Sequence, residues 1–219
     1  MAGSLEAMRG SIMVISGCMF SGKTTELLDR IGRFPEGSVA VFKHAIDDRY
    51  GRDAVSTHDG KTRSALPIEN GAEMLGLLNP GHRIVAIDEA HFFDDSLVVT
   101  LRQLSHRQVG VLLTALDRDC WARPFPQVKA WMALGAIRVT RNGVCARCGA
   151  VADRTQRLTP IEDGRLVGGA EAYEPRCQRC WWPPPASGEL RERPDRPQVL
   201  PEMKRALHCD FGDPCDDGS

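Results

Sequence analysis

Ile12-Met13-Val14-Ile15-Ser16-Gly17-Cys18-Met19-Phe20-Ser21-Gly22-Lys23-Thr24 is the stretch on which the fold turns. A short β-rich run ends in glycine, GxxxxGK[ST] is met at every fixed position, and Leu27, Leu28 and Ile31 follow at helical spacing. A strand that passes through a glycine-rich loop into a helix aims successive backbone N–H groups and the helix N-terminus at one point, which is an anion site. Lys23 brings a point charge to the β and γ phosphates of a nucleoside triphosphate, and Thr24 a hydroxyl for magnesium. Gly17, Cys18, Met19, Phe20, Ser21, Gly22, Lys23 and Thr24 are therefore the candidate phosphate loop.

Moving outward, Val39 to Lys43, Arg83 to Ile87 and Val109 to Ala115 are further apolar runs of strand length, and Ser96 to His106 is amphipathic. Such alternation predicts an α/β domain, a parallel sheet with crossover helices on both faces. Ligands of these sheets bind at the carboxyl ends of the strands. Asp88 and Glu89 follow one core run directly, which places Asp88 to hold a magnesium-bound water and Glu89 to accept a proton from an attacking hydroxyl. Asp88-Glu89-Ala90-His91 also spells the DEAH of one helicase group, so a nucleic-acid-stimulated ATPase is a rival. It fits badly, because about 115 residues of α/β pattern leave no room for the second domain that a helicase needs. A P-loop switch or scaffold protein is another rival.

Composition narrows the field. Of 219 residues, 42% are apolar and 26% charged, and 28 Lys and Arg stand against 29 Asp and Glu. That is the balance of a globular protein, without the basic footprint of one that lives on nucleic acid. No apolar run is long enough to cross a membrane, and residues 1–10 lack the apolar core of a signal peptide, so a cytoplasmic location is expected. Residues 183–219 carry seven of the fourteen prolines and eight acidic against five basic side chains, with few large apolar groups. This composition reads as a disordered tail, within which Pro201 to Leu207 could form a helical turn or two.

Eight cysteines include Cys145-Ala-Arg-Cys148 and Cys177-Gln-Arg-Cys180, two CxxC pairs separated by 28 residues. Two such knuckles can close a tetrahedral tetrathiolate site with no open position, the pattern of a structural zinc. The metal would tether residues 149–176 as a loop, in which Gly168 and Gly169 leave the backbone bare for a flat ligand. The expected organisation is then a flexible N-terminus (1–10), a P-loop domain (11–140), a zinc-held module (141–182) and the tail (183–219). Cys18 reads as inert packing, and Cys209 and Cys215 as unpaired thiols of the tail.

The segments GCMFSGKTTELL, KHAIDDRY, STHDG, IDEAHFFD, TALDRDCWARPF and CARCG through LVGGAEAYEPRCQRC resemble, in order and spacing, the motifs of the zinc-ribbon (type II) thymidine kinases. The resemblance spans roughly residues 11–182. It implies a RecA-like P-loop fold with a zinc-held lasso, and transfer of the ATP γ-phosphate with magnesium to the 5′-hydroxyl of thymidine or deoxyuridine, or of another deoxynucleoside. It gives Glu89 the role of general base and Asp88 that of magnesium partner. Ala90 and His91 join the nucleotide-binding stretch, and Asp47 and Arg49 match residues near the phosphates. Met19, Phe92, Leu116, Phe125, Thr155 and Tyr173 match positions lining the nucleoside pocket, and Gly168-Gly169 the lasso that reads the base through its main chain. A homotetramer inhibited by thymidine triphosphate is also implied. The chain departs from the family pattern at His91, generally Gln, and at Cys120, usually Phe.

Overall fold

Runs of β-branched and aliphatic residues with no polar alternation form strands buried on both faces, as a parallel sheet under two helical layers requires. A computed structural model describes residues 5–47, 53–57, 60–159 and 168–184. In chain order the elements are α1 (Leu5–Met8), β1 (Ile12–Gly17), α2 (Lys23–Ile31), β2 (Val39–His44), β3 (Ala54–Ser56), β4 (Thr62–Ser64), β5 (Leu66–Ile68) and α3 (Glu73–Leu77). They continue with β6 (Ile84–Asp88), α4 (Ser96–His106), β7 (Gly110–Leu116), α5 (Pro126–Met132), β8 (Ile137–Arg141), β9 (Gly143–Val144), β10 (Val151–Ala152), β11 (Arg154–Arg157) and β12 (Tyr173–Arg176).

The six-stranded sheet has the order β5-β2-β6-β7-β1-β8, and all its pairings are parallel. Side chains alternate between two cores. Val14, Phe42, Val85, Ile87, Val111 and Leu113 face Met74 of α3, Leu97, Leu101 and Leu104 of α4, and Trp131 of α5. Ile15, Val39, Val41, Ile84, Ala86 and Leu112 face Leu27, Leu28 and Ile31 of α2. Each such burial contributes about 1.5–3 kcal/mol, enough to set strand register by period alone. Among the described residues no helix is long and apolar enough to cross a membrane.

The topology positions the site. β7 lies between the strand that enters the phosphate loop, β1, and the strand that ends in Asp88, β6. The carboxyl ends of β1, β7 and β6 therefore sit side by side. Lys43, at the end of β2, is in register with Asp88.

Two regions differ from the sequence expectation in detail. Leu5–Met8 is a helical turn with Met8 buried, and the Ser105 hydroxyl donates to the Gly10 carbonyl at 2.6 Å, so residues 5–10 pack on the body, whereas residues 1–10 were expected as a flexible N-terminus. Beyond the sheet, β9–β10 and β11–β12 are two short antiparallel ribbons. Arg49, residues 160–167 and residues 185–219, and with them Cys209, Cys215 and the segment 201–207, lie outside the described residues.

Candidate active site

Glycine opens the phosphate loop for steric reasons. A Cβ at Gly17 would stand 2.0 Å from the Arg141 carbonyl oxygen on β8, so only glycine lets the two strand ends close up. Gly22 precedes α2 with φ 76°, a left-handed conformation that glycine adopts at little cost. Between them the loop folds over its own backbone. The buried Lys23 ammonium donates to the Cys18 carbonyl at 2.7 Å, and the Ser21 hydroxyl donates to the same oxygen at 2.8 Å. The nine residues of α2 thus begin with a lysine in the loop and a threonine facing β6.

Asp88 is where the strand ends meet. Thr24 Oγ1 lies 3.2 and 3.3 Å from the two carboxylate oxygens, and Thr114 Oγ1 donates to Oδ1 at 2.6 Å. The Glu89 N–H in turn donates to Thr114 Oγ1 at 2.9 Å. Burial pushes the Asp88 carboxyl up to about 6, and the charges of Glu89 and Asp47 add to this against the hydrogen bonds from Thr114 and Thr24. Asp47 is itself buried, its N–H donating to the His44 carbonyl. A buried carboxylate among other acids beside a threonine hydroxyl is a donor set suited to a hard divalent cation, with oxygen ligands only.

Glu89 follows in a left-handed conformation, φ 48° and ψ 45°, costly for a residue with a side chain and typical of functional positions. The turn Ala90–Phe92 then buries His91, whose Nδ1 lies 3.4 Å from Glu89 Oε2. The rings of Phe92 and Phe125 lie 4.4 and 4.9 Å from the His91 ring, centroid to centroid.

The nucleoside positions suggested by the sequence divide into two groups. Met19 and Tyr173 are buried in one cluster with Cys120 and Ala172, against which Phe20, Leu116 and Trp121 pack. Thr155, on β11, ties this cluster to the phosphate loop by accepting the Met19 N–H at 3.0 Å. Phe92 and Phe125 belong to the His91 cage instead. Burial and the Asp119 charge push the Cys120 thiol up to about 11, so it stays neutral and packs as a small apolar group. Gly168 and Gly169 are tightly placed: a Cβ on Gly168 would lie 2.8 Å from Ala172 Cβ. Within the turn the Gly169 N–H donates to Glu171, and its carbonyl accepts the N–H groups of Ala172 and Tyr173.

The four CxxC cysteines converge. Their sulfurs all lie within 4.8 Å of one another, with three of the residues buried, and the cysteines are free thiols. Tetrahedral coordination at about 2.3 Å per thiolate puts sulfurs about 3.8 Å apart, which this cluster accommodates. Burial followed by the neighbouring thiols pushes Cys180 up to about 12. Cys145, in spite of burial, is drawn down to about 7 by hydrogen bonds from the backbone at Cys177, Arg147 and Cys148. Backbone N–H groups aimed at sulfur are the usual outer support of thiolate ligands.

The cysteine cluster is not remote from the glycine-rich loop. Cys18 is buried with it, and its thiol donates to the Ala152 carbonyl at 3.4 Å. On the far side Trp181 Nε1 donates to the Cys120 carbonyl at 3.3 Å, and Trp121 Nε1 to the Pro184 carbonyl at 2.9 Å. The end of the cysteine module is thereby fastened to the pocket wall.

Sequence reasoning missed Thr114 and Arg157. Thr114 is the only polar side chain in the apolar run Val109 to Ala115, a legible anomaly for a fully buried strand. Arg157 left no such trace. It stands opposite Tyr173 in the β11–β12 register with its guanidinium 4.6 Å over that ring, and its Nε donates to the Thr159 carbonyl at 2.9 Å.

The chain resembles known proteins over most of its length. The family model described as thymidine kinase matches residues 10–181. A thymidine kinase of Bdellovibrio bacteriovorus is 40% identical over 177 residues, covering 80% of this chain and 87% of that protein. One from a Rhodothermus species is 39% identical over 201 residues, 86% of this chain and 93% of its own length.

Proposed function

The chain belongs to the thymidine kinase family, and on that premise we propose that it transfers the γ-phosphate of ATP to the 5′-hydroxyl of thymidine or deoxyuridine, yielding the nucleoside monophosphate and ADP. The observation that carries the mechanism is the continuous chain from Thr24 to Asp88, from Asp88 to Thr114, and from Thr114 to the Glu89 backbone. It joins the phosphate loop to the residue after β6 without a gap.

Lys23 and the amides of residues 17–24 bind and orient the β and γ phosphates. Thr24 and Asp88 would hold Mg2+, which neutralises phosphate charge when bound. Glu89 takes the proton of the 5′-hydroxyl as that oxygen bonds to the γ-phosphorus, and the bond to the β-phosphate oxygen breaks with its electron pair leaving on ADP. Ala90 and His91 extend the nucleotide-binding stretch, with Asp47, and by resemblance Arg49, assigned to phosphate binding. Met19, Leu116, Thr155 and Tyr173 form the nearer nucleoside wall, Phe92 and Phe125 the farther one, and Gly168-Gly169 belong to the loop that covers the base.

Cys145, Cys148, Cys177 and Cys180 hold a structural Zn2+ in this reading, supported by their clustering. We further propose a cytoplasmic homotetramer inhibited by thymidine triphosphate, its catalytic core in residues 11–182. A coupled ADP-release assay with magnesium tests the reading, with thymidine, the other deoxynucleosides, single-stranded DNA and no acceptor as its arms. Turnover is expected with thymidine or deoxyuridine. Turnover stimulated by DNA and not by nucleosides would overturn it.

A further inference from the structure

A strand buried on both faces has little use for a hydroxyl, yet β7 carries Thr114, fully buried, among aliphatic neighbours. Its place in the sheet gives the reason. On one side Thr114 stands in register with Ile15 of β1, the strand that leads into the phosphate loop. On the other the register of β7 with β6 ends at Leu113 opposite Ile87, and one step on the Thr114 side chain takes up the connection. An N–H only donates, so the Glu89 amide at 2.9 Å occupies a lone pair of Thr114 Oγ1 and leaves the hydroxyl hydrogen for Asp88 Oδ1 at 2.6 Å. The direction of both bonds is thereby set. The Glu89 carbonyl accepts the Phe92 N–H at 3.1 Å, so both backbone polar groups of Glu89 are bonded while the residue stays left-handed. A left-handed residue with a side chain persists only where its surroundings hold it, and that conformation decides where the carboxylate can reach.

We propose that Thr114 is a positioning residue for phosphoryl transfer: its one hydroxyl holds the Asp88 carboxylate and the Glu89 backbone in a fixed relation, so that the metal partner and the base stay aligned. This rests on the reading of Asp88 and Glu89 in those roles. The hydroxyl is suited to the task because it donates to one group and accepts from the other through a single oxygen, whereas an aliphatic side chain of the same shape can do neither. A packing residue would act on stability alone; a positioning residue acts on the chemical step through the two acids.

The test uses the full chain with saturating magnesium, ATP and thymidine. Thr114→Val keeps the shape and removes the hydroxyl, whereas Thr114→Ser keeps the hydroxyl. For Thr114→Val, kcat is expected to fall about tenfold or more, the scale of a misaligned catalytic group, with both KM values within about twofold. Thr114→Ser should recover most of kcat. Without turnover, equilibrium titration should find magnesium-free ATP binding by Thr114→Val within about twofold of the parent, because Lys23 and the loop amides are untouched, and the gain in ATP affinity on adding magnesium should shrink about threefold or more as Asp88 loses its support. Added to Glu89→Gln, Thr114→Val should slow the enzyme by no more than about threefold, because most of its effect passes through Glu89. If Thr114→Val does not fold, Thr114→Ala is read in the same way, with the melting temperature as control. Unchanged kcat in the folded variant, a Thr114→Ser enzyme as slow as Thr114→Val, or a fully multiplicative loss in the double variant would overturn the proposal. The two failures are separable. Full turnover by Glu89→Gln removes the base itself, whereas loss in Glu89→Gln beside an intact Thr114→Val removes only the role of Thr114.

Discussion

In the proposed reading, the two ends of the site, one for phosphate and one for nucleoside, are built by opposite means. At the phosphate end the framing groups are mounted on the sheet: Gly17 ends β1, Asp88 ends β6, and Thr114 lies within β7, three adjacent strands of one hydrogen-bonded array that carry the loop leading to Lys23 and Thr24 on α2. At the nucleoside end Met19, Cys120, Ala172 and Tyr173 come from the phosphate loop, the turn after β7 and the ribbon, and separate strands hold none of them in common. What joins this second group is a handful of long-range bonds, Met19 to Thr155 and Trp181 to Cys120, anchored by the cysteine cluster. On that proposal, sheet support serves the end where charge must be placed precisely, and the loop-built part serves the end where a substrate must enter and leave.

The sharpest way to separate the two ends is to damage each and ask which kinetic constant responds. Glu89→Gln leaves the phosphate loop and the nucleoside wall in place, so kcat should fall a hundredfold or more while ATP binding, followed by equilibrium titration, stays near the parent value. Wild-type turnover would remove Glu89 from the chemistry. Cys148→Ser strikes the other end. One zinc per chain should be lost by metal analysis, and KM for thymidine should rise at least tenfold with ATP binding less affected, because the ribbon carrying Thr155 and Tyr173 loses its anchor. An equal loss of ATP binding would mean that the cysteine cluster supports the phosphate loop as strongly as the pocket, through Cys18.

This division also governs what the sequence disclosed. The placement of the proposed phosphate end was legible because it depends on spacing along single chain segments: Gly17 to Thr24 is a contiguous pattern, and Asp88-Glu89 directly follows an apolar run. The helix α2 and the main buried strands followed from periodicity, since the sheet is apolar on both faces. The short strand β5, the β3–β4 hairpin and α5 escaped notice, being too brief or too mixed for a period to emerge. At the nucleoside end the CxxC pairs announced the anchor, but not what it fastens. Nothing in the order of residues says that Arg157 stacks on Tyr173 or that Trp181 reaches Cys120, because partners so far apart meet only once register and ribbon geometry are set. Phe92 and Phe125, grouped with the pocket by resemblance, are seen in the structure to flank His91.

A smaller perturbation tests whether the two ends communicate. Thr155→Val removes the hydroxyl that accepts the Met19 N–H while keeping shape, leaving one backbone donor to find water. The expected result is a three- to tenfold rise in KM for thymidine with kcat within about twofold, read from initial rates. A fall in kcat alone would show that Thr155 supports the phosphate loop and not the nucleoside wall.

The smallest effect concerns stability. The Asp88 carboxyl stands at about 6 in the folded protein against an ordinary value of 3.8, raised by burial and by the neighbouring Glu89 and Asp47 charges. Between those two values the native state binds more protons than the unfolded chain, so stability falls as pH rises through the window from about 4 to 6, and above it the full cost remains. Asp88→Asn removes the charge while leaving an oxygen for the Thr114 hydroxyl. In magnesium-free buffer the variant should melt a few degrees above the parent at pH 7 to 8, at roughly 2–4 °C for each kcal/mol. The gap should close as the pH is lowered to 4, and the same variant should be nearly inactive with magnesium present. An Asp88→Asn protein that melts below its parent throughout this range would mean that the hydrogen bonds from Thr24 and Thr114 outweigh burial. The phosphate end would then be stabilised by its acid; with the expected result it is instead the part of the sheet where an unfavourable buried charge is retained for chemistry.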